Sequence, residues 1–227
     1  MIRLLVVDDS ALMRKLLKSV FGDEAGFETA FARDGLEAME LVESFSPDVI
    51  TLDIHMPNVD GLTFLERLMR EKPTPVVVVS AMTTEGAETS LKAMELGAID
   101  FIAKPSKAMS LEIDDLAPKL IAKVRLAAAA RARRRPGKAS ARVSDKRERG
   151  AVTPLQMPLR TPRMSDGLVV IGTSTGGPPA LDMIVPELPA DFPVPVLIAQ
   201  HMPKSFTGSL AKRLDRISSV SVVEVSA

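Results

Sequence analysis

The 227-residue sequence has no cysteine, tryptophan or tyrosine, and its aromatic residues are eight phenylalanines. Without cysteine the chain can form no disulfide, no thiolate nucleophile and no cysteine-based metal site. The shortage of aromatic side chains argues against a stacking platform for nucleic acid. No apolar run reaches the roughly 18 residues of a membrane helix, and the first apolar run ends in two aspartates, unlike a signal peptide. We therefore expect a cytoplasmic protein without membrane insertion.

The sequence has no net charge, because 29 basic and 29 acidic side chains balance. Residues 1–105 nevertheless contain 10 basic and 18 acidic side chains, whereas residues 131–149 contain nine basic and two acidic ones. The basic stretch has no apolar periodicity and is rich in Pro, Ser and Gly, which predicts a flexible linker. A DNA-binding arm is the alternative. No recognition helix accompanies it, so nucleic acid is not an expected partner.

Short apolar runs alternate with helical spacing along most of the remaining sequence, which predicts parallel sheets covered by helices on both faces. The expected fold class is α/β, with two doubly wound parallel-sheet domains. The predicted strands cover residues 2–7, 27–31, 48–52, 75–79, 99–103, 168–172, 194–199 and 220–225. The predicted helices cover residues 11–21, 36–45, 62–69, 85–96, 111–130, 179–188 and 206–214, with Pro118 breaking or starting the fifth. The predicted domains are residues 1–125 and 167–227, joined by a linker over residues 126–166.

Polar side chains stand at the ends of several predicted strands in the first domain. Asp8 and Asp9 follow the first strand, and Asp53 follows the third. Ligands of open parallel sheets bind at the carboxyl ends of strands, so three carboxylates are expected to converge, and Mg²⁺ is the natural cation for them. Ser80 and Lys104 end the fourth and fifth strands, which places a hydroxyl and an ammonium at the same edge. Taken singly, these residues would be helix caps or surface turns; their joint placement favours a phosphoryl site.

The stretches VVDDS, TLDIHMPNVDG, VVVVSA and FIAKP carry a resemblance. Through them residues 1–105 resemble a response-regulator receiver domain, which implies a flavodoxin-like fold. The resemblance implies that Asp53 accepts a phosphoryl group from a histidine kinase. It implies that Asp9 and Asp53 bind Mg²⁺, with Asp8 acting largely through water and the backbone carbonyl of His55 as a further ligand. The His55 side chain itself is expected to be a loop residue.

The same resemblance assigns three residues to sensing the phosphoryl group. Ser80 would close onto the phosphoryl oxygens, and Lys104 would pair with them. Phe101 would turn inward when Ser80 moves. Such a coupling is a two-state element that added charge can bias.

A second chemical motif, IGTSTGG, places Ser174 between an apolar run and two glycines. As a phosphate loop it lacks the lysine of GxxxxGK[ST]. As a nucleophile elbow it would expose Ser174 on a strand-to-helix turn, although a structural glycine turn is the more ordinary interpretation of the motif alone. His201 follows the next predicted strand. If the two strands are parallel neighbours, His201 lies beside Ser174 and can deprotonate it.

Together, IGTSTGG and IAQHMPKSFTGSLAKRLD resemble the Rossmann-like catalytic domain of chemotaxis protein-glutamate methylesterases, and a receiver joined by a basic linker is that family's domain order. The resemblance implies that Ser174 is the nucleophile and His201 the general base, with no cofactor in the esterase domain. It implies hydrolysis of glutamate methyl esters and deamidation of glutamine on chemoreceptors. The receiver would cover the esterase cleft until Asp53 is phosphorylated.

One feature departs from the family's pattern. The family's catalytic triad needs an aspartate much later in the sequence, whereas this sequence stops at Ala227. Asp215 is the one aspartate after His201, and we expect it on the surface of a helix. Loss of the orienting carboxylate costs roughly 10⁴-fold in turnover. We therefore expect a truncated esterase domain, and the alternative function is a phosphoacceptor without enzymatic output, acting as a phosphate sink or adaptor.

Overall fold

The structure is a computed structural model that describes residues 1–22, 24–80, 83–104, 110–134 and 167–225. Pro105 and the predicted linker after residue 134 lie outside these residues. The first part of the chain alternates five strands with five helices. The strands are β1 (Ile2–Val7), β2 (Phe27–Ala32), β3 (Val49–Asp53), β4 (Val76–Ser80) and β5 (Asp100–Ala103). The helices are α1 (Ala11–Gly22), α2 (Gly35–Ser44), α3 (Gly61–Glu71), α4 (Thr84–Glu95) and α5 (Ser110–Arg134).

The five strands form one parallel sheet in the order β2-β1-β3-β4-β5. All five side chains of both β3 and β4 are buried, as expected for strands covered on both faces. The strand order is that of flavodoxin-like folds, and it reverses between β1 and β3. The predicted fold class is therefore confirmed for the first domain, and the switch point lies where β1 and β3 end.

Two hydrophobic clusters cover the two faces of this sheet. Alternate residues of β1 go to opposite faces, with Leu5 and Val7 in one cluster and Leu4 and Val6 in the other, as the period of two requires. The side chains of Asp34 and Asp60 cap the first turns of α2 and α3 by accepting backbone N–H bonds. These caps fix where the loops at the carboxyl edge end and the helices begin.

Helix α5 runs through Pro118 to Arg134, so the prediction that this proline breaks or starts the helix is wrong. Pro118 is exposed. Beyond it Leu120, Val124 and Ala127 are buried against the sheet. Burial of one large apolar side chain contributes about 1.5–3 kcal/mol, which offsets the roughly 3 kcal/mol cost of an interior proline. The helix also continues nine residues beyond the predicted domain end at residue 125.

The second part of the chain contains β6 (Val169–Thr173), α6 (Gly177–Ile184), a 3₁₀ turn (Val185–Glu187), β7 (Val196–Gln200) and α7 (Lys204–Ile217). β6 and β7 pair in parallel, with Thr173 opposite Gln200. The prediction that these two strands are parallel neighbours is confirmed. This β-α-β unit is the part of a Rossmann-like domain that the described residues contain.

Residues 220–225 do not form the predicted strand. A strand needs a ladder partner, and the described residues offer none beside this segment. Instead the N–H of Val222 donates to the carboxylate of Asp215, and Glu224 hydrogen bonds to Thr207. The segment is held by side chains of α7, with Val223 and Val225 exposed.

Helix α7 packs against α4 of the first domain. Phe206 of α7 is fully buried and belongs to a hydrophobic cluster of the receiver-like sheet, while Leu91 of α4 packs with Leu181, Leu210 and others of the second part. Each part of the chain therefore contributes apolar side chains to a hydrophobic cluster of the other part. Among the described helices, none is both long and apolar enough to cross a bilayer.

Candidate functional site

Three carboxylates meet where β1 and β3 end. Asp8 follows β1 directly and Asp53 is the last residue of β3, and the pairing of Val7 with Leu52 places these two strand ends side by side. One carboxylate oxygen from each of Asp8, Asp9 and Asp53 lies within 4.8 Å of the others. Asp8 and Asp53 are buried, whereas Asp9 is exposed. The predicted convergence is therefore present, and its open side faces solvent through Asp9.

Lys104 pairs with both buried carboxylates. Its Nζ lies 2.7 Å from Asp53 Oδ2 and 2.9 Å from Asp8 Oδ2. Burial raises the pKa of Asp8, an effect that Lys104 opposes and Asp53 reinforces. Burial also disfavours the charged form of Lys104, but the hydrogen bond to Asp53 and the attraction of Asp8 outweigh it and raise the pKa of the lysine. One fixed positive charge thus faces two carboxylates, and the cluster retains excess negative charge.

The donor set fits a hard divalent cation. It consists of carboxylate oxygens from three residues, and Asp8 Oδ2 has no well-directed hydrogen bond among the described residues although Lys104 is near it. Mg²⁺ prefers oxygen ligands and keeps several waters, which the exposed side at Asp9 allows. The residues present are therefore suited to this ion.

The backbone that carries the aspartates is held by a residue that sequence reasoning missed. Arg14 Nη1 donates to the backbone carbonyls of Asp8 and Asp9, at 2.7 and 2.9 Å. The N–H of Ser10 donates to Asp8 Oδ1 at 2.9 Å. An arginine one helical turn after an acidic strand end was the available signal, because its guanidinium carries several N–H donors and can bond two carbonyls at once.

The loop after Asp53 is packed closely against the strand end. A Cβ on Gly61 would lie 2.3 Å from the carbonyl oxygen of Asp53, so only glycine fits at the start of α3. Asn58 donates to the capping carboxylate of Asp34 at 3.4 Å. His55 is exposed, and its backbone N–H donates to Asp53 Oδ1 at 3.3 Å. His55 is thus located in the loop, as predicted.

Ser80 and Phe101 lie on strands that neighbour the carboxylate cluster. Ser80 is the last residue of β4, fully buried, and its hydroxyl donates to the carbonyl of Gly86 in α4 at 3.1 Å. Phe101 is 4% exposed and stacks on Phe206 of the second domain, with ring centroids 4.6 Å apart and an interplanar angle of 15°. The Ser80 hydroxyl is thus hydrogen bonded to α4, and the Phe101 ring is stacked on a residue of α7. In this structure neither side chain is bonded to Asp53.

The second cluster lies on the turns that follow β6 and β7. Ser174 follows β6 and His201 follows β7, and Ser174 Oγ is 3.3 Å from His201 Nδ1. Gly176 has φ +75°, a left-handed conformation that glycine adopts without strain, and it lets the chain turn into α6. Both side chains are exposed. The predicted pair is together in space, and the receiver-like domain packs beside it without burying it.

No carboxylate hydrogen bonds to the His201 ring among the residues that the structure describes. Asp215 is exposed on α7, as predicted, and accepts from the N–H of Val222. Two further residues were missed by sequence reasoning. Gln200 lies between the Ser174 and His201 turns, and Arg213 makes two hydrogen bonds to Asp182 and contacts Glu95 of α4. The latter network links α6, α7 and α4.

Comparisons with known proteins identify the family of each part of the chain. A response regulator receiver domain model matches residues 4–114, and a CheB methylesterase model matches residues 169–227. The protein-glutamate methylesterase/protein-glutamine glutaminase 2 of Rhodopseudomonas palustris is 50% identical over 242 residues, which is 99% of this chain and 63% of that protein. The protein-glutamate methylesterase/protein-glutamine glutaminase of Thermotoga maritima is 44% identical, over 98% of this chain and 61% of that protein.

A solved structure supports the assignment of the first domain as a receiver. The response regulator domain of Thermotoga maritima CheB is 45% identical over 57% of this chain and 97% of that chain, with a TM-score of 0.53. Along the chain, the receiver match precedes the methylesterase match. The chain spans less than two thirds of the length of the curated relatives named here.

Proposed function

The chain belongs to the family of receiver-linked protein-glutamate methylesterases, and from this premise we propose that it hydrolyses glutamate methyl esters on chemoreceptors under the control of phosphorylation at Asp53. Deamidation of receptor glutamine follows from the same chemistry. The observation that carries the proposal is the 3.3 Å approach of Ser174 Oγ to His201 Nδ1 at the ends of adjacent parallel strands. A receptor substrate would place the reaction in the cytoplasm.

At the first site, a carboxylate oxygen of Asp53 attacks the phosphorus of a phosphohistidine on a chemotaxis histidine kinase. The P–N bond breaks, and the kinase nitrogen keeps its electron pair. Mg²⁺, when held by Asp8, Asp9 and Asp53, offsets the repulsion between the carboxylate and the phosphate. Lys104 is already placed against Asp53 and can transfer its ion pair to the new phosphoryl oxygens. The hydroxyl of Ser80 is the further donor proposed for them.

At the second site, Ser174 Oγ attacks the ester carbonyl carbon while His201 takes its proton. The proton then goes to the departing methoxide, which leaves as methanol, or to the departing amine, which leaves as ammonia. Water, deprotonated by His201, hydrolyses the acyl-serine and frees the glutamate carboxylate. The Ser174 to His201 distance is at the long end for a hydrogen bond, as is common in sites without substrate.

The contact between α4 and α7 gives phosphorylation a route to the second site. Ser80 bonds to α4 and Phe101 stacks on Phe206 of α7. His201 lies only three residues before the start of α7. If Ser80 turns from Gly86 towards a phosphoryl group, α4 loses a bond and the Phe101 stack is disturbed. We propose that this loosens the contact and widens the approach of receptor helices to the exposed Ser174 and His201 side chains.

The second candidate function is a phosphoacceptor without enzymatic output. One observation favours it: within the described residues, the ring of His201 has no carboxylate partner to orient it. Such a protein would be phosphorylated at Asp53 and would compete with other acceptors for the phosphoryl group of the kinase. Replacing Ser174 would not change its function.

Methanol release from a methylated chemoreceptor separates the two functions. We expect the chain to release methanol in the presence of Mg²⁺ and a small phosphodonor, and Ser174→Ala to release none because the acyl-enzyme cannot form. Mass spectrometry should show Asp53 phosphorylated to the same extent in both. Absence of release from the wild-type chain, with Asp53 fully phosphorylated, would reject the esterase in favour of the phosphoacceptor.

A further inference from the structure

The side-chain amide of Gln200 bridges the turn that carries Ser174 and the turn that carries His201. Its Nε2 donates to the backbone carbonyl of Ser174 at 3.0 Å and to that of His201 at 3.2 Å. Its Oε1 accepts from Thr173 Oγ1 at 2.7 Å. One half-buried amide thus ties the last residue of β6, the serine turn and the histidine turn to the end of β7.

The orientation of this amide is fixed by chemistry. A backbone carbonyl only accepts hydrogen bonds, so the end of the Gln200 amide that faces two carbonyls must be the NH₂ group. Both of its protons are then used. The oxygen is left to face Thr173, whose hydroxyl can donate, and a flipped amide would set its oxygen against two carbonyl oxygens.

Close packing keeps the amide in this position. A Cβ on Gly177 would lie 1.9 Å from Gln200 Oε1 and 2.8 Å from Thr173 Cβ. Glycine at the start of α6 therefore makes room for the amide. The N–H of Gly177 also donates to the carbonyl of Ser174 at 2.8 Å, so that this oxygen accepts from both the helix and Gln200.

We propose that Gln200 is a positioning residue that sets the distance between Ser174 Oγ and His201 Nδ1. The inference rests on the proposed esterase function, and it concerns how the serine and the histidine of that site are held at their distance. Each side chain leaves a turn whose carbonyl is held by the same amide, so neither turn can shift without breaking a bond to Gln200. Misplacement of reacting groups by about 1 Å can reduce rates on the order of 10²-fold.

The first test is nuclear magnetic resonance on the 227-residue chain, and it does not require activity. Gln200→Glu puts an oxygen against the two carbonyls, and Gln200→Met keeps the length of the side chain but removes its polar atoms. We expect lower backbone order parameters at Ser174 and His201 in both variants, below about 0.6 where rigid backbone gives about 0.85. Thr173→Ser retains the hydroxyl and should keep the wild-type values. Unchanged order at both turns in Gln200→Met would overturn the inference, even if Gln200→Glu does not fold.

The second test is the kinetics of methanol release with phosphodonor present. A positioning role predicts that Gln200→Met lowers kcat on the order of 10²-fold while KM is unchanged, and that Thr173→Ser behaves like the wild type. Wild-type release together with wild-type kcat in Gln200→Met would contradict the positioning role alone. Lack of release from the wild type would contradict the proposed esterase, and the order parameters would then decide whether Gln200 holds the two turns.

Discussion

At the scale of single residues, the carboxylate cluster of Asp8, Asp9 and Asp53 requires compensating positive charge. Asp8 and Asp53 are both buried at the end of adjacent strands, and Lys104 contacts both. Removing one partner of a buried ion pair costs about 3–5 kcal/mol, because the remaining charge stays buried without compensation. A divalent cation held by these carboxylates would supply similar compensation. The lysine and the cation should therefore substitute for each other in stabilising the fold.

Lys104→Met should make stability depend on Mg²⁺. We expect a lower thermal midpoint than the wild type in the absence of divalent ions, and a larger rise on addition of Mg²⁺, because the ion replaces the lost positive charge. Differential scanning calorimetry of both proteins over a Mg²⁺ series measures this. Arg67→Met is the control: it removes an exposed pair with Glu71, for which about 0.3–0.5 kcal/mol is expected. Equal Mg²⁺ responses in Lys104→Met and wild type would refute the account.

Asp34 is a residue whose contribution should vary with pH. The N–H of Glu37, together with Asn58 and the N–H of Leu36, lowers the pKa of this carboxylate against the effect of burial. A lowered pKa means that its charge stabilises the fold above the unfolded value near 3.9, and that this stability is lost as the pH falls through the folded value.

Asp34→Asn removes the charge and keeps an oxygen for capping. The difference in unfolding free energy between wild type and Asp34→Asn should be constant above about pH 5 and shrink below about pH 4. Asp34→Ala, which also removes the cap, should lose about 1 kcal/mol more at each pH. Urea unfolding at pH 3 to 8 measures both differences. A wild-type advantage that is the same at pH 3 and pH 7 would show that the charge of Asp34 is not involved.

At the scale of elements, the loop after Asp53 depends on how closely α3 begins against the end of β3. Gly61→Ala would push a methyl group against the backbone of Asp53 and Ile54. Because backbone cannot move aside cheaply, we expect a loss of about 1–3 kcal/mol and slower phosphorylation of Asp53. Gly22→Ala is the matched control, since a Cβ there meets nothing within 4 Å and should be neutral or stabilising.

Thermal unfolding and phosphorylation by a small phosphodonor measure this prediction. Gly61→Ala and Gly22→Ala should differ in both readouts. If Gly61→Ala is phosphorylated at the wild-type rate and unfolds at the wild-type midpoint, the close approach of α3 to the loop after Asp53 affects neither phosphorylation nor stability.

The elements were predictable from the sequence wherever local pattern and burial agree. The run of four valines in β4 is fully buried. The carboxylates that follow separate strands lie together because the carboxyl ends of parallel strands lie at the same edge of the sheet. Pro118 and residues 220–225 were mispredicted because packing on the sheet outweighed the proline and because a strand needs a partner. Gln200 and Arg14 were missed because each donates to backbone carbonyls, and the identity of a residue does not reveal where its carbonyl lies in the fold.

At the scale of the whole molecule, the two parts are joined by apolar side chains and one charged network. Phe206 lies in the hydrophobic cluster of the receiver sheet and stacks on Phe101. Arg213 connects Asp182 of α6 with Glu95 of α4. Disturbance of the Phe101 ring should therefore be felt directly in α7, the helix that begins three residues after His201.

Phe206→Ala should separate the two parts without unfolding the receiver. The substitution removes the ring that stacks on Phe101, so we expect faster hydrogen exchange in α4, measured by mass spectrometry. Phe192→Ala is the control, because Phe192 lines the groove between β7, α7 and residues 220–225. Faster exchange of α4 in Phe192→Ala but not in Phe206→Ala would contradict a contact centred on the phenylalanine pair.

The most direct test of regulated hydrolysis is methanol release from a methylated chemoreceptor, with Mg²⁺, in the presence and absence of a small phosphodonor. For the wild-type chain we predict that the phosphodonor raises the rate, within the roughly 5- to 150-fold range of typical coupling between sites. For Asp53→Asn we predict the same low rate in both conditions. A wild-type rate that does not change although Asp53 is phosphorylated, or an increase that persists in Asp53→Asn, would contradict the account.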